Sequence, residues 1–168
     1  GDDALVRYTR QFDAPEMSVD QLLVSEKEVK EAVKAVDRSF TRALNRAAAQ
    51  IESFHRRQLP QSWITTDRPG TLLGQMVHPV KRAGVYVPGA RGGKTPLVSS
   101  VLMGAIPAKI AGVEEIVMAT PPMEDGAVNA HLLAAAAKVG VDKVFKVGSA
   151  WAVGAMAYGT ESIPKVDV

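Results

Sequence analysis

The chain has 168 residues, 46% of them apolar, and a formal net charge of +2. That length suits one domain, or two small lobes sharing a core, and the apolar fraction is enough to bury one. The near-balanced charge argues for neither a nucleic-acid footprint nor a membrane surface. Cysteine is absent, which excludes disulfides, thiolate metal sites and cysteine nucleophiles. No apolar run approaches the ~18 residues of a membrane span and no signal peptide is visible, so a cytoplasmic protein is expected.

Residues 2–11 predict a short helix with Leu5, Tyr8 and Thr9 on one side, broken at Asp13-Ala14-Pro15. Because the sequence starts at Gly1 and reads as helix at once, a cut upstream is expected. Two S-x-x-[EQ] capping boxes follow, Ser18 to Gln21 and Ser25 to Glu28. Behind the second, Val29, Val33, Val36, Phe40, Leu44, Ala47, Ile51 and Phe54 recur every three or four residues. That spacing predicts one long amphipathic helix, ended before Pro60. Its other face carries Lys30, Lys34, Arg38, Arg42, Arg46 and Glu52, which reads as a solvated face.

Residues 71–78 (TLLGQMVH) and 83–88 (AGVYVP) predict two strands. Strand and helix then alternate: AGVYVP leads to LVSSVLMGAIPAKIAG, EEIVMAT to AVNAHLLAAAAKVG, and KVFKVG to SAWAVGAMAYG. Strand centres near Val85, Val117 and Phe145 give a period of about 30 residues, as βαβ units require. The expected fold is α/β, a Rossmann-like, doubly wound parallel sheet with flanking helices, preceded by the long amphipathic helix. The expected organisation is a helical segment with the first strand over 1–82, then a partial βαβαβα lobe over 83–168. Residues 163–168 (IPKVDV) read as the approach to a fourth strand. A sheet stopping there leaves unpaired backbone at its edge, and self-association is expected of the isolated chain.

The glycine-rich turn VYVPGARGGKTPL ends in Gly93-Lys94-Thr95. The P-loop pattern G-x-x-x-x-G-K-[ST] needs a glycine where Pro88 stands, and proline lacks both the N–H and the backbone freedom. The alternative is a surface loop with solvated Arg91 and Lys94. His55, His78 and His131 show no i,i+3 or i,i+4 pairing, so none is assigned a metal or a catalytic proton. Ser99 and Ser100 read as helix capping or anion contact, and Glu124 and Asp125 as a solvated loop. In an open α/β sheet, ligands bind where strands end and helices begin. Here those ends are Tyr86-Val87-Pro88-Gly89, Thr120-Pro121-Pro122 and Gly148-Ser149-Ala150-Trp151, a crevice for a nucleotide or phosphate. Strand alternation puts Val85 and Val87 on one face and Tyr86 on the other, beside that crevice. Trp151 opens a helix at a strand end, where an indole either stacks on a ligand ring or packs as core.

GQMVHPVKRAGVYVPG, SSVLMGAIPAKIAGVEEIVMATPP and KVFKVGSAWAVGAMAYGTESIPKVD, with the opening GDDALVRYTRQFD, resemble the histidinol dehydrogenase family over nearly the whole chain. The glycine-rich turn then resembles that family's Y-[VI]-P-G-G turn with extra residues, and its Gly-Lys-Thr is incidental. The resemblance implies a zinc-dependent homodimer that oxidises L-histidinol to L-histidine with two NAD, at the end of histidine biosynthesis. It implies NAD contacts at Tyr86 and at Trp151, which stands where the family carries a glutamine. It places the zinc ligands and a Glu-His acid/base pair beyond Val168, so no catalytic or metal residue is expected within the chain. Ala90 in place of the second turn glycine, the longer loop and Trp151 depart from the family pattern. They leave open a member acting on another alcohol, such as sulfopropanediol, or a non-catalytic module that binds a nucleotide or pairs through its sheet.

Overall fold

The computed structural model describes residues 1–89 and 95–168; Arg91 and the Gly93-Lys94 pair fall outside them. Helix α1 (Asp2–Phe12) buries Leu5, Val6 and Thr9. The two capping boxes start a 3-10 turn at Val19–Gln21 and helix α2 (Glu26–Ala35). The expected single long helix does not form. The chain turns extended at Val36 and restarts as α3 (Arg38–His55). Asp37 is the cause: its carboxylate accepts the Phe40 N–H at 2.8 Å and the Ser39 hydroxyl at 2.7 Å. A side chain that satisfies the first free N–H groups of one helix ends the one before it.

A small antiparallel ribbon follows, β1 (Trp63–Thr65) with β2 (Leu73–Gln75). The sequence predicts the second strand and not the first. Trp63, Ile64, Leu72, Leu73 and Met76 are each more than half exposed along it. Then β3 (Arg82–Tyr86), α4 (Val98–Ile110), β4 (Glu115–Thr120), α5 (Ala130–Val139), β5 (Lys143–Lys146) and α6 (Ser149–Tyr158) alternate as expected. The three strands are parallel, in the order β3-β4-β5.

Strand alternation sorts the sheet into two cores. Ala83, Val85, Ile116, Met118 and Val144 belong to one, shared with α4 and α5 and backed by α2 and α3. Val117, Ala119, Phe145 and Val147 belong to the other, with Leu5 of α1 and Ala152 of α6. The helix-on-sheet approach is close. A Cβ on Gly104 of α4 would stand 2.6 Å from Val85 Cγ1 of β3. At the amino ends of the strands, Glu115 binds Arg82 on one side and Lys143, at 2.9 Å, on the other. Lys143 and Arg82, in that order, lower the Glu115 pKa. One ionic row thus joins all three strands.

Both outer strands of the sheet have further backbone partners. The Leu22–Val24 segment runs antiparallel beside β5, with Lys146 N–H on Leu22 O at 2.7 Å and Val24 N–H on Val144 O at 2.9 Å. Beside β3, Asp167 N–H reaches Arg82 O at 2.9 Å and Gly84 N–H reaches Val168 O at 2.7 Å. Both flanking strands therefore have local backbone partners: Leu22–Val24, which carries no strand pattern, and Asp167–Val168, which ends the stretch read as the approach to a fourth strand. The edge of β3 is thus paired at Arg82 and Gly84 by the segment expected to leave it open.

Lys146 ends β5 buried, its ammonium on the Glu28 carboxylate of α2. Burial pushes the Glu28 carboxyl up, but the Lys146 ammonium and the Ser25 donors outweigh it, and its pKa is lowered. Glu28→Gln leaves that ammonium without its anion and should destabilise the fold by about 3 kcal/mol, read by urea unfolding at pH 7. A carboxyl with a depressed folded pKa stabilises above its unfolded pKa, and this is lost as pH falls through the folded value. The gap between wild type and variant should therefore shrink on acidification. A gap that stays constant through the carboxylate range would contradict this assignment. Gly104→Ala should cost about 1–3 kcal/mol by overpacking against Val85; unchanged stability would show that α4 can shift freely.

Candidate nucleotide-binding crevice

Tyr86 is the last residue of β3, on the face shared with α1 and α6, and it is half-buried. Its hydroxyl oxygen accepts the Ser149 N–H at 2.8 Å. That bond spans the middle strand, because β3 and β5 are neighbours of β4 and not of each other. Gly148 makes it possible: a Cβ there would lie 2.7 Å from Pro121 Cβ, so the turns after β4 and β5 touch through bare backbone. Ser149 itself has φ 57°, the one left-handed non-glycine among the described residues. Such a conformation is costly for a residue with a side chain and persists where the surroundings hold it, often at a ligand site. Here the Tyr86 hydroxyl holds it.

Ser149 is also the first residue of α6. Early N–H groups of a helix lack intrahelical acceptors and carry the positive end of the helix dipole, which suits an anion. One turn position on, Trp151 stacks on Tyr8 (ring centroids 5.1 Å apart, planes at 23°) and on Phe12 (5.4 Å, 26°). Both partners come from α1, four residues apart on one helix face. Trp151 therefore packs against the core shared by α1 and α6 and also lines the crevice. Its Nε1 is buried and has no hydrogen-bond partner among the described residues.

A cavity of about 460 Å³ lies between Tyr86, Pro121, Ser149, Trp151 and the end of α1, Phe12 and Asp13. That volume is in the range of small-molecule sites. Phe12 is 60% exposed and presents part of its ring to this cavity. Asp13 caps the carboxyl end of α1 through its own backbone N–H, which donates to Thr9 O at 2.9 Å. Burial pushes the Asp13 carboxyl pKa up, and no described residue donates a hydrogen bond or ion pair to it. Sequence reasoning finds Tyr86 and Trp151 here and misses Phe12 and Asp13, which precede β3 by some seventy positions. Only the packing of α1 brings them in.

The other candidate residues lie elsewhere. Leu97 caps α4 without a side-chain bond, so Ser99 and Ser100 sit inside its first turn and do not act as the expected cap. His55 bonds Gln58, His78 is exposed after β2, and His131 meets Phe40 edge-on at 4.5 Å. Glu124 and Asp125 border a second cavity, about 300 Å³, whose Lys146 already holds Glu28. Among the described residues no three His, Asp or Glu side chains converge as metal donors, so they offer zinc no cradle. No described helix is long and apolar enough to cross a membrane.

Comparison with known proteins gives these features a setting. A sequence model of the histidinol dehydrogenase family matches residues 1–168. Curated histidinol dehydrogenases from Desulfotalea psychrophila and Syntrophotalea carbinolica are 51% identical over 168 residues and 53% identical over 167 residues. They align with 100% and 99% of this chain, which spans 39% and 38% of their lengths. The crystal structure of histidinol dehydrogenase from Elizabethkingia anophelis superposes with a TM-score of 0.90 at 37% identity, covering 99% of this chain and 37% of that one. Sequence and fold agree along the full length: the chain belongs to the histidinol dehydrogenase family.

Proposed function

We propose that these 168 residues are the amino-terminal and cofactor-side part of a longer, NAD- and zinc-dependent histidinol dehydrogenase. The whole enzyme oxidises L-histidinol to L-histidine in the cytoplasm and acts as a homodimer. The observation that carries the reading is the Tyr86–Ser149 bond at the head of α6, inside a chain that matches the family from end to end. The 38–39% coverage of the relatives supports the view that this chain is part of a larger enzyme.

Oxidation of an alcohol to a carboxylate takes two hydrides from one carbon, and NAD supplies the acceptor each time. This part of the chain binds and orients. The α6 amino terminus would hold the dinucleotide's diphosphate, where the helix dipole and the N–H groups after Ser149 favour negative charge. Tyr86 holds Ser149, and with it the first turn of α6, in a ligand-ready conformation. Trp151, backed by Tyr8 and Phe12, gives a flat apolar wall for a ring, and its indole N–H remains free for a polar partner. No proton transfer is assigned to these residues. We assign the zinc ligands and the acid/base pair to the remainder of the enzyme.

In the full-length enzyme, Tyr86→Phe removes the acceptor of the Ser149 N–H. A bond of this kind is worth about 1 kcal/mol, so the KM for NAD should rise about fivefold, with turnover changed less. Unchanged NAD kinetics would remove Tyr86 from the cofactor site. The 168-residue chain alone should yield no NADH from histidinol, with or without added zinc, and should bind NAD no better than about millimolar. Measurable NADH production by the purified chain would overturn the division of labour proposed here.

A further inference from the structure

The end of α1 brings a half-buried carboxylate, Asp13, to the wall of the crevice. Asp13 lines the cavity with Phe12, Tyr86, Pro121, Ser149 and Trp151, and no described residue donates to its side chain. An acceptor-only group in a partly dry pocket is stable there when a ligand brings hydroxyl or N–H donors to it. Phe12, its neighbour in sequence, stacks on Trp151 and keeps much of its ring exposed. An aromatic wall and a carboxylate one residue apart match the two joined halves of a nucleoside, a flat base and a sugar diol. The amino end of α6 lies across the same cavity, where a phosphate attached to that sugar meets free N–H groups.

We propose that Asp13 receives the adenosine ribose diol of the dinucleotide and thereby selects NAD over its 2′-phosphorylated form. This rests on the reading of the crevice as the cofactor site. Dinucleotide folds commonly place a carboxylate on the ribose 2′-hydroxyl, from the loop after a strand within the sheet. Here the carboxylate comes from a helix that precedes the sheet, so no motif in the lobe itself reveals it. A 2′-phosphate in its place meets a desolvated like charge, and that repulsion gives the selectivity.

The test is direct binding, by calorimetry, of ADP-ribose, 2′-deoxy-ADP-ribose and 2′-phospho-ADP-ribose to the full-length enzyme, with no turnover required. Wild type should bind ADP-ribose at least tenfold more tightly than either analogue. Asp13→Asn should weaken ADP-ribose by about tenfold and collapse its advantage over the 2′-phosphate, and Asp13→Glu should restore part of it. The deoxy analogue tests the idea on unaltered protein, whatever the folding of the variants. Equal binding of ADP-ribose and its deoxy analogue by wild type overturns the proposal. So does an unchanged preference in Asp13→Asn. If Trp151→Ala still weakens all three ligands, the crevice stands as the cofactor site and only the role of Asp13 fails. If neither variant alters any of the three, the site reading fails as well. A raised KM for histidinol with intact ADP-ribose binding would assign Asp13 to the substrate and equally overturn the proposal.

Discussion

The contact between Gly148 and Pro121 is the constraint on which the site depends. Two successive turns at the carboxyl end of the sheet approach so closely that a methyl group would not fit between them, with the nearest atom at 2.7 Å. That approach draws the head of α6 toward β3, close enough for a tyrosine to bridge the middle strand and hold Ser149 in a left-handed conformation. Strain of this kind needs a rigid frame. The frame is the pair of dry cores on either side of three short strands, keyed at their amino ends by the Arg82–Glu115–Lys143 row.

Layering explains why one of the amino-terminal helices, α1, borders the crevice while α2 and α3 only support the sheet. Helices α2 and α3 thicken one side of the sheet, and α2 is fastened to β5 through the buried Glu28–Lys146 pair. Helix α1 takes the opposite side, beside α6. Asp2 and the 160–163 turn hold its start, through the Glu161 carboxylate on the Asp2 N–H and the Ser162 hydroxyl on the Asp2 carboxylate. Its far end then reaches the crevice with Tyr8, Phe12 and Asp13. The ordinary polar anchoring of one helix end therefore decides what the other end presents to a ligand.

The three parallel strands are legible because strands buried on both faces write themselves as short apolar runs at an even spacing. Tyr86 and Trp151 were legible because both stand at strand–helix junctions. The long helix was misread for a physical reason: Val33, Val36 and Phe40 keep helical spacing straight across the cap at Asp37, so hydrophobic periodicity alone cannot see the break. β1 escaped notice because three residues between Pro60 and Pro69 are too few to alternate. The edge partner at Leu22–Val24 and the crevice residues Phe12 and Asp13 carry no local signature. They are products of tertiary packing, and only coordinates reveal them.

The central claim is that the dinucleotide rests at the junction of Tyr86, Ser149 and Trp151. Amide and indole NMR shifts in the full-length enzyme during an NAD titration test it most directly. The account predicts saturable shifts at the Ser149 amide and the Trp151 indole N–H, with amides in the outer layer of α2 and α3 unmoved. Shifts confined to that outer layer, or to the cavity beside Lys146 and Glu124, would contradict it.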